Sequence, residues 1–392
     1  MINKIVEKIR IRLVSSLDAL YLVWLDLVLK PSPEADRLLI VKIDAIGDYM
    51  LHRGFFESTR EVFPKHKIVY CGQQLVKHIA ETFDSNLIDE FIWIDRSKLA
   101  LDLPYRWAVM RRFRRAGFGT VINPTFTRDF RIDDLIVRSA KAPVAIGFDG
   151  EMYSGKMNAA QKSIADRYYT RLVHVTDENW FEFDRLRAFF TEALNHKVQL
   201  ERPHIQPVVS MPPGMPDQYV VFFPGASAEF RQWPAERFAE IGEFIHEQTG
   251  LAILITGGPG DQVLAKRIMQ AGRKAHYTDL TGKTKLSELI SLLHKSTLLL
   301  SNETGAVHMA AALSVPTVVI SNGNHFGRFN PYPARLHPDC TTIYPPRIEV
   351  RLENDRLGLI RDYGQGSRIN ISEVPVIAVM KAVEHVLEKA EG

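Results

Sequence analysis

Several features that would assign a function at sight are missing from this chain. Cysteine is scarce: Cys71 and Cys340 are the only two in 392 residues. Two such thiols build neither a disulfide framework nor a thiolate metal cluster, and their scarcity fits a reducing compartment. Charge of one sign is missing too: 49 Lys and Arg against 46 Asp and Glu leave +3. That balance argues neither for nor against an acidic partner. With no nucleic-acid-binding motif present, it argues against nucleic acid. No Asp-x-Asp pair occurs, so the usual Mn²⁺ or Mg²⁺ diphosphate clamp is absent. No Gly-x-x-x-x-Gly-Lys-Ser/Thr loop occurs either, which argues against a P-loop NTPase. There is no fixed-period repeat and no low-complexity tract.

What is present is an ordinary globular composition, 46% hydrophobic and 24% charged, over a length that implies about two domains. The first 30 residues stand apart. Ile2, Ile5, Val6, Ile9, Leu13, Leu17 and Leu20 recur at helical spacing, with Lys4, Lys8, Arg10 and Arg12 among them. A denser apolar run over 20–29 is interrupted by Asp26. It is too short and too charged to span a bilayer, and it lacks a cleavage site. Two readings stay open: an interfacial helix on a membrane surface, or a helix packed on its own protein.

Apolar runs alternating with helical segments predict a largely parallel sheet with helices on both faces. Leu38–Ile43 reads as a strand, Asp44–Asp48 as a turn, and Tyr49–Val62 as a helix that stops before Pro64. Further strands are expected at Phe91–Ile94, Thr120–Ile122 and Val144–Phe148. Pro203, Pro207, Pro212, Pro213 and Pro216 read as a linker. The alternation then restarts with strands at Tyr219–Phe223, Leu251–Ile255, Thr297–Leu300 and Pro316–Ile320. The expected division is a helical extension at 1–36, an α/β domain at 37–202, a linker at 203–218, a second α/β domain at 219–370 and a terminal helix at 371–392.

The most informative segment is Ser301-Asn302-Glu303-Thr304-Gly305-Ala306-Val307-His308, between an apolar strand and a small-residue helix. A Thr-Gly turn there aims backbone N–H groups and a helix N-terminus at one point, which suits a phosphate or diphosphate. An ordinary β-to-α turn is the alternative. Asp261 follows the glycine-rich turn Gly257-Gly258-Pro259-Gly260, where an acidic side chain accepts ribose hydroxyls or caps a helix equally well. Arg111-Arg112-Phe113-Arg114-Arg115 is a basic cluster, suited to an acidic acceptor or to a solvated helix face.

The segments Leu38–Phe63 with Ile-Gly-Asp at 46–48, Phe223–Ser227, Arg231–Pro234, Asp279–Thr284 and Asn302–His308 resemble glycosyltransferase family 9, the heptosyltransferases of lipopolysaccharide core assembly. The resemblance covers roughly residues 37–330. It implies a GT-B fold: two Rossmann-like domains facing a central cleft, with acceptor on the first and nucleotide sugar on the second. It further implies inverting transfer with no metal and no cofactor beyond the nucleotide sugar. The donor would be ADP-linked heptose and the acceptor a lipid-linked or oligosaccharide glycan. The implied location is the cytoplasm, on the inner face of the inner membrane.

On that resemblance Asp48 is the general base, with helix capping as its alternative. Arg231 neutralises the departing diphosphate, where the family commonly has Lys. Gly47, Ser227, Asp261, Glu303, Thr304, Gly305, Ala306, Val307 and His308 belong to the donor site. Glu303 stands where the family usually has Asp, and His308 either reaches a phosphate or braces the turn. Arg128 and Arg131 are the acceptor candidates. Two other functions remain: a sugar-nucleotide epimerase of the same architecture, or a non-catalytic glycan-binding relative.

Overall fold

The structure, a computed structural model, describes residues 2–150, 156–176, 181–207 and 211–391. Part of the expected linker, 208–210, lies outside them, as do the side chains of residues 2–9, 12, 390 and 391. The chain divides into two compact units. The first is built mainly from the chain up to Leu200; the second holds Glu201–Gly392 together with Met50–Gly54.

The first unit is a six-stranded parallel sheet. Its strands are β1 (Glu34–Lys42), β2 (Lys67–Gln73), β3 (Glu90–Ile94), β4 (Phe118–Asn123), β5 (Val144–Phe148) and β6 (Arg171–Val173). They lie in the order β3-β2-β1-β4-β5-β6. The register sets Leu39 beside Val69 on one side and Val121 on the other. Leu39, Val41, Val69 and Val121 are fully buried, as strands covered on both faces must be. The order reverses between β1 and β4, and a ligand of such a sheet sits beyond the carboxyl ends of its strands at that reversal.

The second unit repeats the plan. Its strands are β7 (Tyr219–Phe223), β8 (Ala252–Ile255), β9 (Tyr277–Asp279), β10 (Leu299–Asn302), β11 (Thr317–Ile320) and β12 (Cys340–Ile343). They lie in the order β12-β11-β10-β7-β8-β9, again all parallel, with the reversal between β7 and β10.

Helices complete the layers. In the first unit these include α1 (Ile2–Val28), the start of α2 (Ile46–His52), α3 (Phe55–Val62), α4 (Leu103–Ala116) and α5 (Asp133–Ala140). In the second they include α6 (Ala235–Thr249), α7 (Gln262–Ala271), α8 (Gly305–Leu313) and α9 (Val376–Glu391). Val379, Val383, Val386 and Leu387 of α9 join the core formed by Phe238, Ile241 and Ile245 of α6.

Two expectations need correction. The helix expected over 49–62 is two helices, α2 and α3, parted at Arg53-Gly54; glycine is a poor helix former and lets the chain turn there. The first of them begins at Ile46, so Asp48 lies in the first turn of α2 rather than in a preceding turn. The strand expected at 297–300 begins two residues later, so Ser301 and Asn302 are strand residues.

Of the two readings of the N-terminal helix, packing on the protein is observed. Val14, Leu22 and Leu25 are buried against the first unit. Asp18, itself buried, accepts from Arg106 Nε at 2.8 Å and Nη2 at 2.5 Å. Asp26 accepts from Arg114, Arg138 and Lys141. These cations hold the Asp26 carboxyl well below its ordinary range despite partial burial. Removing one member of a buried ion pair leaves the other charge unmatched. Asp18→Ala is therefore expected to lower the stability of the chain by about 3–5 kcal/mol in urea unfolding.

Candidate functional site

In the second unit the loops after β7 and β10 meet at the reversal of strand order. Asn302, the last residue of β10, ties them together. Its Oδ1 accepts from the Trp233 backbone N–H at 3.3 Å, and its Nδ2 donates to the Pro224 carbonyl at 2.6 Å. Trp233 is fully buried and its Nε1 donates to Val374 O at 3.1 Å. The Arg-Gln-Trp-Pro segment is thus anchored by its tryptophan, which fixes where Arg231 stands.

Arg231 is held at both guanidinium ends. Nη1 donates to Ser227 Oγ at 2.9 Å, and Nη2 donates to Glu303 O at 2.9 Å while lying 3.6 Å from Glu303 Oε1. Glu303 Oε2 accepts from Ser321 Oγ at 2.5 Å. Burial pushes the Glu303 carboxyl up, and Arg231 and Ser321 oppose that rise. Glu303 is thus turned into the protein, engaged with Arg231 and Ser321.

Thr304 caps α8, its Oγ1 accepting from Ala306 N–H at 3.3 Å, and Val307 N–H donates to Thr304 O at 3.2 Å. The Gly305 N–H makes no hydrogen bond among the described residues, and Thr304 and Gly305 are both partly exposed. An unpaired N–H at a helix start, beside a fixed guanidinium, has the chemistry that suits an anion. Ala306 and Val307 therefore shape the turn, with their N–H groups already bonded to Thr304. His308 is buried, and its Nδ1 lies 2.6 Å from Tyr332 Oη. Burial holds its pKa down to about 4, so the ring is neutral at pH 7. Of its two readings, bracing the turn is the one observed.

Asp261 does not use its side chain to cap α7. It accepts from Gly258 N–H at 2.8 Å instead. Its carboxylate occupies the space beside Gly225 and Gly257, where an added Cβ would come within 2.5 and 2.6 Å of Oδ2. Glycine at both positions is what admits a carboxylate between the ends of β7 and β8.

In the first unit the loops after β1 and β4 carry charge at the corresponding reversal. Lys42, nearly buried at the end of β1, lies 3.0 Å from Asp44 Oδ2. Burial alone would raise the Asp44 carboxyl, but Lys42, Lys156 and Arg96 hold it well below its ordinary range. Arg96 Nη1 donates to Ile43 O at 2.7 Å. Lys156 Nζ donates to Thr127 O at 3.0 Å. Gly47 and Asp48 open α2 just beyond Asp44, with Asp48 partly exposed.

The acceptor candidates part company. Arg128 is fully buried, paired with Asp134 at 3.3 Å and with Asp166, and it stacks over Tyr169 at 4.7 Å. Its charge is matched inside the unit, so the expectation that it meets an acceptor is corrected. Arg131 is partly exposed and lines a cavity with Phe130, Leu135, Arg138 and Tyr168. The basic cluster at 111–115 ends α4, which leads into the amino end of β4, away from the carboxyl ends where Asp48 stands.

Sequence reasoning missed the roles of Lys42, Asp133, Asp134, Ser321 and Tyr332. A lysine within the otherwise apolar Leu38–Ile43 run was the available signal for the first.

Two all-parallel six-stranded sheets of Rossmann-like order, each carrying polar loops at its reversal, follow the plan of the GT-B fold. The chain belongs to glycosyltransferase family 9 (heptosyltransferase), whose profile matches residues 106–349, more than half of its length. It is 24% identical over 304 residues to lipopolysaccharide heptosyltransferase 1 of Salmonella typhimurium, covering 72% of this chain and 87% of that one. Among solved structures it resembles the glycosyl transferase family 9 protein of Veillonella parvula, with TM-score 0.70, 20% identity, and coverage of 92% and 99%. It also resembles E. coli heptosyltransferase WaaC with ADP, with TM-score 0.66, 19% identity, and coverage of 89% and 99%. Among the described residues no group of three or more His, Cys, Asp or Glu is disposed to hold a metal ion.

The buried carboxyls of α5 make a pH test. Burial first, then the negative charges of Asp44 and Asp129, push Asp133 up to about 7. Burial pushes Asp134 up to about 6. A carboxyl raised above its unfolded value favours the fold at low pH, and that contribution is lost as pH rises through the window between the two values. Asp133→Asn is therefore expected to raise the melting temperature at about pH 8, with the gain vanishing by about pH 4.

Proposed function

We propose that this enzyme transfers a heptosyl group from ADP-heptose to a hydroxyl of a lipopolysaccharide core glycan, with inversion and without a metal. The observation that carries this reading is the anion site of the second unit: the Arg231 guanidinium, tethered to Ser227 and Glu303, beside the unpaired Gly305 N–H at the start of α8. ADP is the nucleotide named for the WaaC structure, and membership of the same family favours the same donor class here.

In the proposed reaction Asp48 takes the proton of the acceptor hydroxyl as its oxygen bonds to the anomeric carbon. The bond from that carbon to the diphosphate oxygen breaks, and its electron pair leaves on the diphosphate. Arg231 and the Gly305 N–H stabilise the charge that develops there, the task a divalent cation performs in other transferases. Asp261 accepts from the ribose hydroxyls, and Glu303 sets the position of Arg231. The acceptor is lipid-linked, and the enzyme works at the inner face of the inner membrane. Family membership favours transfer over epimerisation.

A thermal-shift panel with ADP, UDP, GDP, dTDP and CDP, each with and without EDTA, tests the donor site. Stabilisation by ADP unchanged by EDTA is expected. Stabilisation by another diphosphate, or its loss in EDTA, would overturn the donor or the metal-free assignment. Asp48→Ala should lower turnover by about 10²–10⁴-fold while keeping the ADP shift; unchanged turnover sinks the base assignment. Arg231→Ala should lower kcat by about 10²–10³-fold and weaken the ADP shift as well.

A further inference from the structure

The helix α1 has two apolar faces, and the protein uses one. Opposite the buried Val14, Leu22 and Leu25, the residues Leu13, Leu20, Val23, Trp24, Leu27 and Val28 are exposed, from 46% at Trp24 to 76% at Leu27. Positions 13, 20, 24 and 27 fall on one side of a helix with 3.6 residues per turn. A stripe of this size is unusual on a surface that meets only water. No helix among the described residues is long and apolar enough to cross a membrane, so α1 can lie on a bilayer but not through it.

The neighbouring helix supplies charge. Asp18 pairs with Arg106, Tyr21 stacks on Trp107 at 4.8 Å, and Asp26 pairs with Arg114, so α4 runs alongside α1 in the same direction. Trp24 stacks on Tyr21 at 5.3 Å, extending this aromatic row to the exposed stripe. Arg111 and Arg115 follow Trp107 at four-residue steps, so the three share one face of α4. Arg111, Arg112 and Arg115 are exposed and make no hydrogen bond or ion pair among the described residues. With Arg37 and Glu90 they line an open groove of about 540 Å³. Glu90 is already matched by Arg37 and Lys67, each at 3.0 Å, so the groove is net positive. The acids of α1 in this region, Asp18 and Asp26, are spent on internal pairs. Ahead of the stripe the chain carries Lys4, Lys8, Arg10 and Arg12 against Glu7.

An apolar stripe with tryptophan at its edge and cations beside it matches the boundary of an anionic bilayer, where acyl chains, headgroups and phosphates occur in that order. A second copy docking through the same face would bring two sets of like charges together. We propose that the α1–α4 face seats this enzyme on anionic phospholipid, with Leu20, Trp24 and Leu27 inserted at headgroup depth and Arg111, Arg112 and Arg115 against lipid phosphates. The inference deepens the proposed function by naming the lipid class and the face, and it rests on the lipid-linked acceptor for its purpose but not for its geometry.

Co-sedimentation of the full chain tests it, with phosphatidylethanolamine vesicles containing phosphatidylglycerol set against phosphatidylcholine vesicles. Binding to the anionic vesicles alone, weakened by salt, is expected. Combining Leu20→Ser, Trp24→Ser and Leu27→Ser should cut that binding by about tenfold or more with the melting temperature unchanged. Combining Arg111→Gln, Arg112→Gln and Arg115→Gln should cut it by about tenfold and remove the anionic preference. Equal binding to both vesicles, or full binding by either variant, overturns the proposal. So does a dimer in sedimentation velocity that the serine variant splits while vesicles go unbound. Transfer to a deacylated, soluble acceptor, measured in parallel, should be unchanged in both variants. Its absence from the parent chain would count against the transferase reading alone.

Discussion

The loop that carries Arg231 in the proposed donor site is tied to β10 by one side-chain amide. Asn302 closes β10, and from there it grips the loop after β7 at two points, accepting from Trp233 N–H and donating to Pro224 O. Parallel strands end in loops whose backbone groups have lost their ladder partners, and buried groups of that kind must be satisfied locally. Here one buried amide does this near both ends of the loop after β7. Without it the Trp233 backbone would lose its link to β10, leaving the buried indole and its bond to Val374 O to hold the segment that carries Arg231. Loop order at the reversal of the second sheet thus rests on a residue that touches no ligand in the proposed reaction.

The first unit solves the same problem with charge. At the end of β1 a buried lysine meets a carboxylate, and further cations and acids gather around them from the loops after β3 and β4 and from Lys156. Buried ion networks of this kind add little net stability, but they fix geometry, because each member is costly to leave unmatched. Asp48 stands just beyond this network, at the start of α2, on a backbone held from behind.

Much of this was legible in the sequence and some was not, for physical reasons. Central strands announced themselves because both faces are covered, so Leu38–Ile43 and Tyr219–Phe223 are continuous apolar runs. The short strands β6, β9 and β12 did not; they lie at the sheet edges and are partly exposed, and a half-covered strand needs no such run. The strand–turn–helix of the proposed donor segment was legible because a strand, a Thr-Gly turn and a small-residue helix fall in succession. The fate of its members was not. Val307 and His308 look alike in a string, yet the ring of His308 is fixed by Tyr332, 24 residues away. Arg128 misled for the same reason: an arginine after a strand looks available until Asp166, 38 residues on, closes over it. The N-terminal helix was ambiguous because both readings drew on apolar spacing, and α1 has two apolar faces rather than one.

The double tether of Arg231 has a thermodynamic side. A free arginine side chain loses about 2 kcal/mol of rotamer freedom when a ligand fixes it. In this protein that loss is taken at folding, when Ser227 Oγ and Glu303 O set the two ends of the guanidinium. A diphosphate arriving beside it meets a cation that has no ordering left to undergo. The same tether limits adjustment: a donor whose diphosphate sits differently cannot draw the guanidinium after it. In the proposed reaction, rigidity at this one residue converts loop geometry into selectivity for the shape of the leaving group.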